Sequence, residues 1–290
     1  MSSKPTDSGN VVPGSVAQSM VTTRYTLLDY IRSRRFAILL VLMLIISALL
    51  TFVFWYRRPA TIFDLPSDLA PRAFYSTWWG MSATFVVILS GIFFGGDAIS
   101  SEFQNRTGYF VLPNPVRRSS VYTGKFIAAL IASSIVLGIF MMITLANGIG
   151  YFGLNVPGAF FESALFDWLY LWAVLGFCFF ISSAFKSGAY SILVCAVFLL
   201  FGFTLIEGLV EALAGIEPWF VLSYGSEIVG NVLQANYPAH VTTNTEMFGS
   251  HLVTVTTYNV GVVEGLVIIG AYFVVTAVLG LFLFERKEFT

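Results

Sequence analysis

Charge is what this chain has least of. Of its 290 residues only 11% are Asp, Glu, Lys or Arg, against 57% hydrophobic, whereas soluble domains carry roughly a quarter charged residues. So little charge cannot hydrate a globular surface, which excludes an ordinary soluble domain and places the chain in a bilayer. Cysteine is nearly absent too: Cys178 and Cys195 sit inside apolar runs without a CxxC partner, which excludes a disulfide framework or a metal knuckle. No phosphate-binding loop is present. Its nearest approach is Gly124-Lys125, but Ser119 stands where the first glycine belongs and Phe126 where the magnesium-binding hydroxyl belongs. HExxH and GxSxG are missing, and His240 and His251 lie in one polar segment without ligand spacing. These absences leave no catalytic, cofactor-binding or metal residues to nominate. The net charge of -1 gives no reason to expect a nucleic-acid partner. The first 23 residues are polar and lack the apolar core of a signal peptide, so they read as a cytoplasmic tail.

What the chain has in abundance is apolar length. Phe36 to Tyr56 contains no charge and as a helix is about 31 Å long, a match to a hydrocarbon core of roughly 30 Å. Similar runs recur at Thr77 to Gly96, Phe126 to Asn147, Leu165 to Phe185, Ala189 to Leu209 and Val262 to Phe284. The fold class expected is an all-α integral membrane protein with six transmembrane helices. A cytoplasmic N-terminus puts Lys4, Arg24, Arg32, Arg34, Arg35, Arg106, Arg117, Arg118, Lys125, Lys186, Arg286 and Lys287 inside. Only Arg57, Arg58 and Arg72 are then outside, so the positive-inside rule puts both termini in the cytoplasm of a multi-pass cell-membrane protein. All six tryptophans then fall near the outer edge, where indoles are favoured.

The joints differ in length. Spans four and five are linked by "KSG", while residues 210–261 separate five from six and contain no Lys or Arg. Their first part is apolar but broken by Gly and Pro, which suits short re-entrant or external helices. "HLVTVTTYNV" is rich in β-branched residues and reads as extended. Ahead of span one, Val21, Tyr25, Leu28 and Ile31 fall on one helical stripe, with Thr22, Arg24, Asp29 and Arg32 facing away. This pattern predicts an amphipathic helix on the inner membrane surface. The domain plan is therefore a tail (1–19), an amphipathic connecting helix (20–35) and a six-span domain (36–290), with a cytoplasmic loop at 97–125 and an external region at 210–261.

That cytoplasmic loop, "GGDAISSEFQNRTGYFVLPNPVRRSSVYTGK", carries the densest chemistry. Glu102 stands four residues before Arg106, a helical pairing worth about 0.2–0.5 kcal/mol. "YFVL" adds an apolar patch, and Pro113 and Pro115 stop regular helix. This combination suits a docking surface, with a basic tether on anionic lipid as the alternative. The ionisable residues Asp167, Glu207, Glu211 and Glu264 lie towards the outer end. Asp167 and Glu207 are candidates for a polar relay or outer gate.

The series Glu102, Thr107, Leu112, Pro115, Val116, Arg118, Gly124 and Lys125, together with the terminal "ERKEF", resembles the signature of ABC-2 type permeases, the membrane subunits of type V exporter-like ABC transporters. The resemblance implies that the loop is a coupling helix seated in a groove of a separate ATP-binding subunit. Its contacts would come from Glu102, Phe103, Arg106, Thr107, Tyr109, Phe110, Arg117, Arg118 and Lys125. It further implies two copies of that ATPase, which carry the ATP and Mg, and a second copy of this chain. The cargo would be hydrophobic or amphipathic and move outward. An ion-gradient-driven transporter, or a membrane anchor that recruits a cytosolic partner, remains open on the residues alone.

Overall fold

A computed structural model describes residues 14–57, 69–104, 117–248 and 251–287. A pre-helix, Ser15–Arg32, ends at Ser33, which leaves helical geometry and lets the chain turn into the first span, Arg34–Arg57. The second span runs Ala70–Gln104, the third Arg118–Phe152, the fourth Gly158–Ala184, the fifth Gly188–Ala214 and the sixth Val262–Arg286. These are the six helices expected, and most are longer than their charge-free cores. The third, for instance, adds a turn or more of polar residues before Phe126.

Burial separates the spans into two classes. In the most apolar stretch of the second and fourth spans, 67% and 61% of residues are buried, against 17%, 17% and 22% in the first, fifth and sixth. The second and fourth therefore form the packed centre, and the others present apolar faces outward. Small residues permit this packing. A Cβ on Gly91 or Gly95 would collide with Val174 or Cys178 of the fourth span, and one on Gly176 would meet Thr276 of the sixth. Close approach through glycine is how membrane helices gain van der Waals contact where lipid offers no hydrophobic drive.

The tryptophans divide between inward and outward faces. Trp78 and Trp79 are fully buried: Trp78 stacks on Phe54 at 5.6 Å and Trp79 on Phe140 at 5.7 Å. They sit in a π-helical turn, Ser76–Gly80, whose extra residue per turn accompanies their inward placement. Trp55 and Trp219 are exposed, as an interfacial ring should be.

Between the fifth and sixth spans lie two short helices, Leu222–Ser226 and Ile228–Asn231. An antiparallel hairpin follows, of β1 (Val241–Phe248) and β2 (His251–Tyr258), in register from Val241 opposite Tyr258 to Phe248 opposite His251. The extended segment expected at His251 is thus one strand of two. Its partner, "VTTNTEMF", carries the same β-branched signal in Val241, Thr242, Thr243 and Thr245.

The pre-helix packs with its polar side. Thr22 lies where a Cβ on Gly124 would stand 2.7 Å from its own. Thr23 donates to the Gly124 carbonyl at 3.1 Å, and Ser120 donates to the Ser15 carbonyl at 3.1 Å. Val21, Tyr25, Leu28 and Ile31 are left facing outward, an orientation compatible with a helix lying in the headgroup plane.

Candidate coupling surface

The second span ends in a turn over 96–99 followed by the helical turn Ser100–Gln104, and this end is fastened on every side. Ser182 of the fourth span accepts hydrogen bonds from the backbone of Ile99 at 2.9 Å and Ser100 at 3.0 Å. Ser191 of the fifth span donates to the Gly96 carbonyl, and Gln104 accepts from the Gly188 amide at 2.7 Å. Serine suits the first task because one hydroxyl oxygen can accept from two amides left unpaired at a helix start.

Two ion pairs flank this corner. Glu102 pairs with Lys125, whose ammonium also donates to the Ala98 carbonyl at 2.8 Å. Asp97 pairs with Arg35 at 2.6 Å. The cleft between them has a volume of about 540 Å³ and is lined by Tyr25, Asp29, Tyr30, Ser101 and both pairs. Tyr30 reaches across to donate to the Phe94 carbonyl at 2.9 Å. Burial, and then the Asp97 carboxylate, push its phenol above the usual range.

Sequence reasoning pairs Glu102 with Arg106; the structure gives Glu102 the long-range partner Lys125, while Arg106 lies outside the described residues. So do Thr107, Tyr109 and Phe110. Phe103 meets Phe284 edge-on at 6.2 Å and lies beneath the Lys287 ammonium, 4.3 Å from the ring centre. Lys287 donates to the Ser183 and Phe185 carbonyls at 2.9 and 2.7 Å. Burial, then Lys186 nearby, pull its pKa down to about 8. Arg118 donates to the Glu285 and Lys287 carbonyls at 2.9 and 2.8 Å, which caps the negative end of the last span. The Arg117 amide donates to Gln18 of the pre-helix at 3.0 Å. The structure therefore joins Glu102, Phe103, Arg117, Arg118 and Lys125 at one end of the bundle. Their partners Gln18 and Lys287, like Arg35 and Ser182 which hold Asp97, Ile99 and Ser100 beside them, carried no local sequence signal, because each pairing spans a long stretch of chain.

A family model for the ABC-2 family transporter protein matches residues 24–289. The chain belongs to that family. A comparison with curated proteins found no match. As an ABC-2 family protein with six apolar helices, the chain is a multi-pass membrane component of an ABC transporter, a family that works with an ATP-binding subunit.

Asp167 and Glu207 lie away from this corner. Asp167 is fully buried, and neither carboxylate oxygen has a hydrogen-bond partner among the described residues. Glu207 accepts from Ser223. Tyr170 is in electrostatic reach of both. Glu227, beyond the fifth span, is pushed up to about 8 by burial and then by the neighbouring Glu207 carboxylate.

Proposed function

We propose that this chain is the permease subunit of an ATP-driven exporter of hydrophobic or amphipathic molecules, coupled through its 97–125 loop to a separate ATPase. The observation that carries this reading is the fastening of the loop's root. Residues 96–104 are bonded to the third, fourth and fifth spans at once, so a displacement applied to the loop is delivered to most of the bundle rather than absorbed locally. A tether pressed on lipid has no need of such bracing. In this reading Tyr109, Phe110, Thr107 and Arg106 meet the ATPase, while Glu102, Phe103, Arg117, Arg118 and Lys125 hold the surface that presents them.

The basic end faces the cytoplasm, as Arg24, Arg32, Arg117, Arg118, Lys186 and Arg286 dictate by the positive-inside rule. ATP and Mg are held by two copies of the partner. A second copy of this chain covers part of the apolar surface left on the first and fifth spans, where only 17% of the most apolar stretch is buried. Asp167, costly to bury without a partner, marks the polar element of the path together with Glu207.

The test is copurification of the ATPase with the permease and ATP-driven transport in vesicles. Tyr109→Ala and Phe110→Ala are expected to weaken the complex by about 2 kcal/mol or more with thermal stability unchanged. Wild-type behaviour of both, together with release of the loop from anionic vesicles on removal of Arg106, Arg117 and Arg118, would replace coupling by a lipid tether. Stoichiometric ATP hydrolysis by the purified chain alone would overturn the subunit reading.

A further inference from the structure

At the opposite end of the bundle Glu217, His240 and Glu264 converge from three separate segments, with one ligand atom of each within 4.8 Å of the others. Glu217 follows the fifth span, His240 stands at the root of the hairpin, and Glu264 is in the first turn of the sixth span. From this geometry we infer that the three residues bind a divalent transition-metal ion, Zn²⁺ by preference, which clamps the hairpin and the preceding loop to the top of the sixth span.

The state of the imidazole carries the inference. His240 Nδ1 lies 3.1 Å from the Asn259 carbonyl oxygen, and the Asn259 amide returns a hydrogen bond to the His240 carbonyl at 2.8 Å. The ring is therefore fixed at the hairpin root with its Nδ1 proton committed to a carbonyl. Its Nε2 faces Glu217 Oε1 at 3.4 Å. A neutral ring in this tautomer offers Nε2 only as an acceptor, so two lone pairs would face each other unless a cation lies between them. A protonated ring is one solution, but a charge-assisted hydrogen bond would close to about 2.7–2.9 Å. The observed separation is closer to the spacing of two ligands across a tetrahedral zinc, about 3.3 Å for bonds of roughly 2.0–2.1 Å. An imidazole whose far nitrogen is bonded to a backbone carbonyl is also the usual arrangement of a metal-bound histidine.

The carboxylates are held in the same manner. Tyr224 donates to Glu217 Oε1 at 2.6 Å, and Glu264 Oε2 accepts from the Gly261 amide at 3.3 Å, so each has an oxygen oriented by the protein. No Lys or Arg occurs between residues 210 and 261 to neutralise them. Arg72, from the second span, donates instead to the Val232 and Ala235 carbonyls. One imidazole and two carboxylates suit Zn²⁺ better than Ca²⁺ or Mg²⁺, which prefer all-oxygen shells. Water would complete the coordination.

The full-length protein, purified in detergent and stripped with chelator, would be titrated with Zn²⁺ calorimetrically and with Co²⁺ by visible absorption. One ion per chain, the intense visible band of tetrahedral Co²⁺, and a Zn²⁺-dependent rise in Tm are expected. His240→Ala, Glu217→Gln and Glu264→Gln should each weaken binding tenfold or more and abolish the rise in Tm. Glu264→Gln retains an acceptor for the Gly261 amide, so its loss of affinity cannot be attributed to an uncapped helix. Absence of saturable binding would leave only a His240–Glu217 ion pair and overturn the inference. Binding that survives His240→Ala or Glu264→Gln unchanged would overturn it as well. Neither readout depends on an ATPase partner, so this site and the coupling surface stand or fall separately.

Discussion

At the basic end, Lys125 meets Glu102, Arg35 meets Asp97, and Arg118 and Lys287 are absorbed by backbone carbonyls. At the other end Glu207, Glu227 and Glu211 are mutual electrostatic neighbours, and Glu217 and Glu264 share one histidine. The two ends manage charge in opposite ways. One fastens its charges to opposite charges or to backbone carbonyls and so can be rigid, as a surface that receives force should be. The other holds an excess of one sign, which protons or a bound cation must offset. Its stability therefore responds to solution conditions.

This contrast is open to attack, most strongly at Lys125. Its side chain and that of Glu102 are 12% and 23% exposed, so Lys125→Ala removes from a largely buried place the ammonium that the Glu102 carboxylate and the Ala98 carbonyl share. A loss of about 2–3 kcal/mol is expected in denaturant unfolding. Adding Glu102→Ala should recover part of it, and strictly additive losses would show the pair to be uncoupled.

Gly124→Val acts next. Its side chain would meet Thr22 and the Ser19 carbonyl, an overpacking expected to cost about 1–3 kcal/mol. That cost should fall on the pre-helix, so tryptic cleavage after Arg24 should accelerate while the Tm of the bundle holds. An unchanged cleavage rate would mean that the pre-helix does not depend on this contact.

Arg118→Ala removes the cap on the last span and should cost about 1 kcal/mol. Hydrogen exchange should quicken over residues 283–287, with little change at the hairpin. A global change in exchange would contradict a local role for Arg118.

The last effect belongs to the acidic end and depends on pH. Glu227, pushed up to about 8, keeps its proton in the folded protein after the unfolded chain has released it near the ordinary value of 4.5. Its favourable contribution is therefore complete below that value and is lost as pH rises towards 8. Glu227→Gln mimics the protonated form, so it should match the wild type near pH 4.5, exceed its stability increasingly as pH rises, and flatten the decline of Tm between about pH 5 and 9. A wild-type Tm that rises over that range would reverse the assignment.

Much of this was legible from residue order. Apolar runs long enough to cross a bilayer, the uneven placement of basic residues and the motif from Glu102 to Lys125 are local patterns, and they determined the six spans, the family resemblance and the loop that matters. The hairpin was half legible, because β-branched content marks both strands but only one had a clear boundary. That Trp78 and Trp79 face inward was not legible, because position along a span fixes depth in the membrane, not the direction a side chain faces. Only the tertiary structure decided that Lys125 answers Glu102, that Ser182 and Gln104 fasten the corner, and that Glu217, His240 and Glu264 meet. Each of these depends on which helices pack together, and that is set by the summed fit of many side chains and glycines across spans rather than by any stretch of sequence alone.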